Sequence, residues 1–559
     1  MAKSKALTVY LLRGTSPEPD TFIKLDPLVR PHPPIALESW PPFFLYSKST
    51  NPQPPRWADF FIPHIDPREI GLTNSVSAAL LVRVHDLWCA VTFGQGRHLL
   101  LQGACVDGFG LRVALNTIGS SNIRSIDKDT FDMIAGHARQ QASREVGAAD
   151  FGVDVERDLL SAVTGTPREN AAIGERITGR DALCSSIQLG LEELPAYLTR
   201  LCDLYETEFY KDDFPWVDNV HVVEDAEEVG IIDLELTRLL QEGQWQDIWL
   251  APPEVLEWPR VRTFAYSLSA RHPELHDVSL KTFVRFVAKN DRSRVDVPFL
   301  QGHRVYCIDE DGKVSYDWSV YSCIYAQIVY SSARYFLTNG KWYKVSESLV
   351  GEVNAFYDQV AQLEHYLPEY DDESEGDYNR RVGQGDSQFD CMHEKLVQFG
   401  PGRSKIEFCD LLGREDGTTY EDIVHVKRYS GSRDLSHLFA QGLNSGELFQ
   451  IDVAFRLALD KDLPEGFRGR FVETRPERNE LRIVFAIISE VDEPLNLPFF
   501  ARLSLRHVAR RLVGFGYRVA LARIRVKPER AILQRNFRRR SKDKRRRRAA
   551  GKKSGIDDT

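Results

Sequence analysis

The sequence has no apolar run long enough to cross a membrane. Within its 559 residues, no stretch approaches eighteen consecutive apolar residues, whereas a membrane-spanning helix needs about twenty. The first twenty residues have a basic start but only a short apolar run and no small-residue cleavage site. They therefore do not resemble a secretory signal peptide. We expect a cytoplasmic protein without a membrane partner.

Paired metal-binding cysteines and phosphate-binding loops are also missing. The eight cysteines are scattered singly, with no C-x-x-C, which argues against a zinc ribbon and favours buried free thiols in a reducing compartment. The stretch 93–97 (FGQGR) is rich in glycine, but it matches neither G-x-x-x-x-G-K-[ST] nor G-x-G-x-x-G. A nucleotide-binding enzyme is therefore not indicated, and we interpret this stretch as a tight turn.

The charge is unevenly distributed along the chain. The net charge is −9, yet residues 527–553 contain fourteen Lys or Arg against two acids, which leaves the rest of the chain near −21. Such a segment cannot fold alone, and we expect residues 527–559 to form a disordered basic tail. Its natural partner is a phosphate backbone, bound without sequence preference. A tail that only improves solubility is the alternative.

The length allows two to four domains. The pattern before the tail predicts four parts: a β-rich domain (1–130), a mixed helical and β region (131–368), an acidic linker (369–384) and an α/β domain (385–526). Helix-period apolar residues predict helices at Thr130–Val146, Leu191–Phe209 and Ser346–Leu367. Turn signals predict two hairpins within Arg304–Val345, and the prolines of Pro31–Pro55 argue against regular structure there.

The last of these parts has a coherent order of elements. A short helix at Phe389–Gln398 should precede a hairpin of two strands, Ile406–Leu412 and Ile423–Tyr429. Alternating helices and strands should follow, at Asp434–Phe449, Leu481–Ser489, Ser504–Leu512 and Arg518–Arg525. This order predicts a mixed sheet covered by helices on both faces, in a chain of the α/β class with an α+β multidomain organisation.

The hairpin carries the candidate chemistry. Asp410 interrupts the apolar face of the first strand, and His425 and Lys427 leave the second strand on one face. An acid and a lysine that converge at strand ends can hold a divalent ion and an attacking water. An ordinary Asp–Lys pair between neighbouring strands is the other interpretation.

The order helix, strand with Asp, strand with x-K, helix and apolar strand in the C-terminal part resembles the core of the PD-(D/E)xK (restriction-endonuclease-like) superfamily. The run VHVKRY is similar to the second motif strand of Mrr-type enzymes. The resemblance implies an Mg²⁺- or Mn²⁺-dependent nuclease in which Asp410 binds the ion and Lys427 polarises the attacking water. Gln441 would orient the lysine or contact a phosphate. His425 stands where the family has a carboxylate or Gln, and imidazole is a poor Mg²⁺ ligand. A carboxylate elsewhere could complete the site, and we expect it to be Glu394, on the preceding helix, because alternation places Glu407 on the opposite face. A preference for a softer ion and a loss of catalysis are the other two interpretations.

The whole chain also resembles a group of large, sporadically distributed bacterial proteins without an assigned function. The motifs that carry this resemblance are FG-x-GR-x-LL, FG-x-R-x-x-LN, CDLL, HVKRY and LSHLFAQG, here at 93–100, 109–116, 409–412, 425–429 and 435–442. The scattered distribution of such proteins implies cargo of mobile elements, and hence a role in defence against phage or plasmids.

Basic residues are expected to contact the phosphates of a nucleic acid, with DNA favoured over RNA. The candidates are Arg428, Arg433, Arg506, Arg510, Arg511 and, in the tail, Arg538, Arg539 and Arg540. Two alternatives remain open: a binding module without catalysis, and a sensor or adaptor in a defence complex. A homo-oligomer or a defence-complex partner is compatible with all three.

Overall fold

The computed structural model describes residues 5–101, 103–130, 136–254, 256, 258–269, 274–310, 312–385, 388–399, 404–414, 417–429, 432–490 and 495–527. The chain divides into two compact units. The first takes in the residues up to 224 together with 254–257, and the second takes in most of the chain from residue 225. No helix among the described residues is both long and apolar enough to cross a membrane.

The first unit is built on one large sheet. Its strands are β1 (Lys5–Leu11), β2 (Arg30–Pro31), β3 (Ile35–Leu37), β4 (Trp40–Ser49), β5 (Val76–Val84), β6 (Leu87–Phe93), β7 (Ile118–Thr130), β8 (Gly136–Val146), β9 (Asp158–Pro167), β10 (Arg176–Gly179) and β11 (Leu183–Ile187), followed by β12 (Val220–Val222). Its helices are α1 (Pro67–Ile70), α2 (Phe109–Thr117), α3 (Leu194–Glu206) and α4 (Tyr210–Asp213). The order in the sheet is β2-β4-β5-β6-β1-β11-β10-β9-β7-β8, with β3 on β4.

The helices α2 and α3 bury their apolar sides, including Phe109 and Leu198, in the larger of the two cores of this unit. The predicted helix at Leu191–Phe209 is confirmed as α3. The predicted helix at Thr130–Val146 is wrong, because residues 136–146 form strand β8 on β7. Local sequence favours a helix there, and pairing with β7 overrides that preference.

The expectation of irregular structure at Pro31–Pro55 is also wrong, since β4 is a regular strand in the middle of this range. Pro41 and Pro42 lie at the beginning of β4, where both are exposed and the register with β3 shifts. Proline is tolerated at the start of a strand and at bulges, because its missing amide then breaks no ladder hydrogen bond.

The second unit begins with elements that lie before α8. They are α5 (Ala226–Glu242), β13 (Ile248–Leu250), β14 (Val261–Ala265), α6 (Leu280–Phe286), α7 (Val297–Gly302), β15 (Arg304–Asp309), β16 (Val314–Ser319), β17 (Ile324–Tyr330), β18 (Ala333–Thr338) and β19 (Lys341–Val345). Strands β14-β15-β16 form one sheet, and β19-β18-β17-β13 lie side by side in another. The two hairpins predicted within Arg304–Val345 are confirmed as β15–β16 and β18–β19.

The remaining elements of the second unit form a mixed sheet and the helices and short strands around it. They are α8 (Glu347–Gln359), β20 (Ala361–Leu363), α9 (Glu375–Gly385), β21 (Phe389–Cys391), β22 (Leu396–Phe399), β23 (Ser404–Glu407), β24 (Leu411–Gly413), β25 (Glu421–Arg428), α10 (Ser432–Ile451), α11 (Val453–Leu459), β26 (Leu481–Ser489), α12 (Phe499–Gly514) and β27 (Arg518–Arg525). The sheet order is β20-β27-β26-β25-β24-β21. Strands β20, β27, β26 and β25 are parallel, β24 pairs antiparallel with β25, and β21 pairs antiparallel with β24.

Helices cover both faces of this sheet, as the sequence predicts. Helices α10 and α12 pack on one face, with Phe439 and Leu505 in a core that includes Ile423 and Phe485. Helix α9 packs on the other face, where Tyr378 and Val382 join Val424 and Val426. The mixed α and β content over several sheets confirms the predicted fold class.

Two expectations for this unit are wrong. The acidic segment 369–384 is not an exposed linker, because most of it forms α9, whose Tyr378 and Val382 are buried. The range Phe389–Gln398 is not a helix, because it contains strand β21, a turn and most of strand β22. A helix therefore does precede the hairpin, but it begins at Glu375.

Candidate metal centre at the carboxyl end of the mixed sheet

Strand β25 extends beyond the end of its neighbour β24. Pairing between the two stops at Leu411 and Val424, so the next amides of β25 on that side have no strand partner. Side-chain carboxylates accept the hydrogen bonds of these amides instead of a neighbouring strand. Asp410 Oδ2 accepts a hydrogen bond from the backbone N–H of Val426 at 2.8 Å, and Glu375 Oε1 accepts one from Arg428 at 3.1 Å.

Three potential metal ligands converge beside this opening. His393 lies on the turn between β21 and β22, Glu407 ends β23, and Asp410 immediately precedes β24. His393 Nδ1 lies 3.1 Å from Glu407 Oε1 and 3.1 Å from Asp410 Oδ1. One ligand atom from each of the three lies within 4.8 Å of the others. These three residues are hereafter called the His393 cluster.

The electrostatics of the His393 cluster favour a positive charge between the carboxylates. The hydrogen bond to Asp410 raises the pKa of His393. Burial raises the pKa of Glu407, and the nearby charge of Asp410 adds to this effect. Two carboxylates in one partly buried place repel each other unless a proton or a cation lies between them. A proton on His393 or a bound metal ion can fill this role.

Asn379 provides an independent sign of a ligand. This residue of α9 is fully buried, and its Nδ2 donates to Asp410 Oδ1 at 2.8 Å. Its Oδ1 is buried with no hydrogen-bond partner among the described residues. An unsatisfied buried acceptor is costly, and a water molecule on a bound ion would satisfy it. The donor set of two carboxylates, one imidazole and this orphaned amide oxygen therefore fits a hydrated divalent ion.

Lys427 is held beside the cluster by Glu375. Its Nζ lies 2.9 Å from Glu375 Oε2, and both side chains are about 30% exposed, at 28% and 32%. Glu375 is the first residue of α9 and lies one helical turn before Asn379, so both side chains leave the same side of the helix. Helix α9 therefore supplies one contact to Lys427 and one to Asp410.

Sequence reasoning missed Glu375, Asn379 and His393. The acidic run 369–377 concealed the start of α9, but Ser374 and Asp377 carry the S-x-x-D spacing of a capping box. In the structure, the Ser374 hydroxyl accepts from the amide of Asp377 at 3.1 Å. That spacing could have located the helix, whereas nothing in the local sequence distinguishes His393 from an ordinary turn histidine.

Glu407 belongs to the His393 cluster, contrary to the expectation from strand alternation. Strand β23 ends at Glu407, and residues 408–410 are irregular before β24 begins. This break places Glu407 and Asp410 on the same side. Glu394 has the opposite outcome: its side chain is 72% exposed, and its backbone N–H donates to Glu407 Oε1 at 2.7 Å. Glu407 therefore belongs to the His393 cluster, whereas Glu394 lies outside it.

His425 is a core residue. It is 3% exposed, it stacks near Phe485, and its Nε2 lies 3.3 Å from Ser445 Oγ. Burial lowers its pKa to about 4, so the imidazole is neutral at physiological pH. Helix α10 approaches closely because residue 442 is glycine, where an added Cβ would lie 2.5 Å from the Phe485 ring.

The other predicted site residues are dispersed. Gln441 is half-buried on α10, and no hydrogen bond between described groups joins it to Lys427. Arg428 lies at the site, but it pairs with Glu490 at 3.2 Å and Asp372 at 3.4 Å. Arg433 lies in the first turn of α10, and its side chain is outside the described residues, as are Arg538, Arg539 and Arg540.

The basic residues of α12 do not face the cluster. Arg506, which is expected to contact nucleic acid, is buried and pairs with Glu352 at 2.9 Å. Helix α12 connects the parallel strands β26 and β27, and it therefore runs back toward their amino ends. Arg510 and Arg511 lie near its C-terminus, about 17 Å along the axis from its first residue, and Arg511 pairs with Glu447. They lie toward the edge of the sheet opposite the His393 cluster.

Comparisons with known proteins identify the chain only by family. No curated protein and no solved structure matches it. One family model matches residues 7–525, which is nearly the whole of the described chain. The chain therefore belongs to DUF6119, a family of unknown function.

Proposed function

We propose that the carboxyl end of the mixed sheet is the active site of a divalent-metal-dependent nuclease that acts in defence against phage or other mobile elements. The observation that carries the proposal is the convergence of the His393 cluster with the Lys427–Glu375 pair at the end of β25. DNA is the favoured substrate, in line with the basic segment 527–553 that follows β27 in the sequence.

The topology supports this proposal. Helix α9, the antiparallel strands β21, β24 and β25, helix α10 and the parallel strand β26 follow one another in the chain. The order helix, strand with an acid, strand with x-K, helix, apolar strand is similar to that of the PD-(D/E)xK core. Asp410 and Lys427 occupy the acid and lysine positions of that order. Fold alone does not establish an activity, and the residues of the site carry the proposed chemistry.

The donor set favours Mn²⁺ over Mg²⁺ as the ion. Mg²⁺ prefers oxygen ligands and binds imidazole weakly, whereas Mn²⁺ accepts nitrogen more readily. His393, Glu407 and Asp410 would hold the ion, which would neutralise charge on the phosphate and lower the pKa of a bound water. Asn379 would hold Asp410 in place through its amide N–H and accept a hydrogen bond from a water in the site.

Lys427 and Glu375 would position the nucleophile. The ammonium group of Lys427 can donate to a water molecule and to a phosphate oxygen while Glu375 fixes its direction. Hydrolysis breaks the bond between phosphorus and the leaving oxygen as the water oxygen bonds to phosphorus. The water gives up one proton to solvent, and the leaving oxygen takes one up from solvent. Glu375 thus acts on the nucleophile through Lys427 and not as a ligand of the ion.

The test is a cleavage assay with purified full-length protein. Supercoiled plasmid, linear DNA and structured RNA are each incubated with Mn²⁺, Mg²⁺ or EDTA. Lys427→Ala is compared with Lys281→Ala, a matched change of an exposed lysine on α6. We expect cleavage that needs Mn²⁺ or Mg²⁺, is abolished in Lys427→Ala and persists in Lys281→Ala.

A binding module without catalysis is the second candidate. Its support is that Lys427 is already neutralised by Glu375 and that no carboxylate stands at position 425. This candidate predicts no cleavage in any lane and a mobility shift that weakens with salt. Cleavage that is equally fast in EDTA, or in Lys427→Ala, would refute the nuclease proposal.

A further inference from the structure

A pocket lies beside the pair β20–β27, at the carboxyl end of the parallel strands, which is also the end at which the His393 cluster lies. Its volume is about 120 Å³, which is room for several waters or one phosphate group. Leu495 and Leu521 form an apolar wall of the pocket, and its polar lining includes Gln362, Arg523 and Arg525.

Strand register places the pocket level with Lys427. In the parallel ladders, Lys427 pairs with Ile487, which in turn pairs with Arg523. Side chains in register on parallel strands leave the same face of the sheet. Asp410, on the far side of β25, is three strand positions from Arg523, which corresponds to about 14 Å at the usual strand spacing. Arg523 therefore shares a face of the sheet with Lys427, and the pocket lies at the same carboxyl end of the parallel strands as the His393 cluster.

The pocket is suited to an anion. Two guanidinium groups, Arg523 and Arg525, and the imidazole of His365 line it against a single carboxylate, that of Glu364. Guanidinium groups match the geometry of phosphate oxygens with two parallel N–H donors. Arg525 is exposed, and no ion pair joins its side chain to another described residue. The basic segment that begins at Lys527 follows two residues later.

We propose that this pocket binds a phosphate group of the nucleic-acid strand whose scissile bond lies at the His393 cluster. The inference rests on the proposed nuclease function and adds the path of the substrate across the sheet. The bound phosphate thus lies on the same strand as the cleaved bond, about 14 Å from it.

Binding without cleavage tests this proposal. The affinity for a fluorescent 20-nucleotide DNA is measured by anisotropy in EDTA at several KCl concentrations. Arg525→Ala is compared with wild type and with Arg518→Ala, an exposed arginine at the other end of the same strand. We expect Arg525→Ala to weaken binding severalfold and to reduce the slope of log K against log salt by about one. Arg518→Ala should change neither quantity.

A second arm separates the pocket from the nuclease proposal. Millimolar inorganic phosphate should raise the thermal midpoint of wild type and Arg518→Ala but leave that of Arg525→Ala unchanged. Equal DNA affinities and slopes for Arg525→Ala and wild type would overturn the proposed path. If no DNA binds to any variant, the path and the nuclease function both fail. Loss of phosphate stabilisation in Arg525→Ala would then still assign the pocket to free phosphate.

Discussion

Acidification is expected to destabilise the protein through His425. This histidine is buried in the core between β25 and α10, and burial lowers its pKa from 6.5 to about 4. In the unfolded chain the imidazole takes up a proton below pH 6.5, whereas in the folded protein it stays neutral until about pH 4. The stability that neutral His425 allows is therefore present above pH 6.5 and is lost as the pH falls toward 4. A shift of this size amounts to about 3 kcal/mol at pH 4.

Urea denaturation of wild type and His425→Gln at pH 7, 6, 5 and 4 measures this effect. Glutamine is neutral throughout, so the stability of wild type relative to the variant should decline by about 3 kcal/mol over this range. His437→Gln, a change of an exposed histidine on α10, serves as the matched control and should follow wild type. Parallel pH profiles for wild type and His425→Gln would refute the assignment of His425 to the core.

Three further predictions concern the site and the sheet that holds it. Replacing Glu375 by Gln removes the charge that directs Lys427. We therefore expect the single-turnover rate constant of cleavage to fall about tenfold while the thermal midpoint of unfolding stays unchanged. Replacing His393 by Ala removes the nitrogen ligand, so Mn²⁺ affinity should fall about tenfold or more by calorimetry, with Mg²⁺-supported cleavage less affected. Asp422 and Arg482 form a buried bidentate pair at 2.7 and 2.8 Å, and Asp422→Asn should lower the free energy of unfolding by about 3 kcal/mol. Unchanged values in these three assays would contradict, respectively, the positioning role of Glu375, the ligand role of His393 and the importance of the buried pair.

The strands of the mixed sheet were the easiest elements to predict from sequence. The predicted strands Leu481–Ser489 and Arg518–Arg525 coincide with β26 and β27, because fully buried parallel strands are continuous apolar runs or nearly so. The helix after the lysine strand is confirmed as α10, since its apolar residues keep a 3.6-residue period. Apolar runs and helical periodicity can be read from the local sequence, and they predict the structure correctly where the same residues are buried in the core.

The site was predicted only in part, because it depends on contacts between distant segments. Asp410 and Lys427 were identified from one hairpin, but their partners Asn379 and Glu375 lie on a helix concealed in an acidic run. Strand alternation misplaced Glu407, since it assumes an unbroken strand through residues 408–410. His425 shares the face of Lys427 as expected, yet the close approach of α10 at Gly442 buries it. A shorter side chain on that face enters the core, whereas the longer lysine reaches the edge.

In the proposed nuclease, Asp410 holds a metal ion that cleavage requires. The most direct test is the Mn²⁺-dependent single-turnover rate on linear DNA for wild type, Asp410→Asn and Asp390→Asn. Asparagine at 410 can still accept the hydrogen bond from Val426, and Asp390 is an exposed acid on the neighbouring strand β21. We expect the rate of Asp410→Asn to fall about a hundredfold while Asp390→Asn cleaves like wild type. Equal rates for all three proteins would contradict a metal-binding role for Asp410 in cleavage.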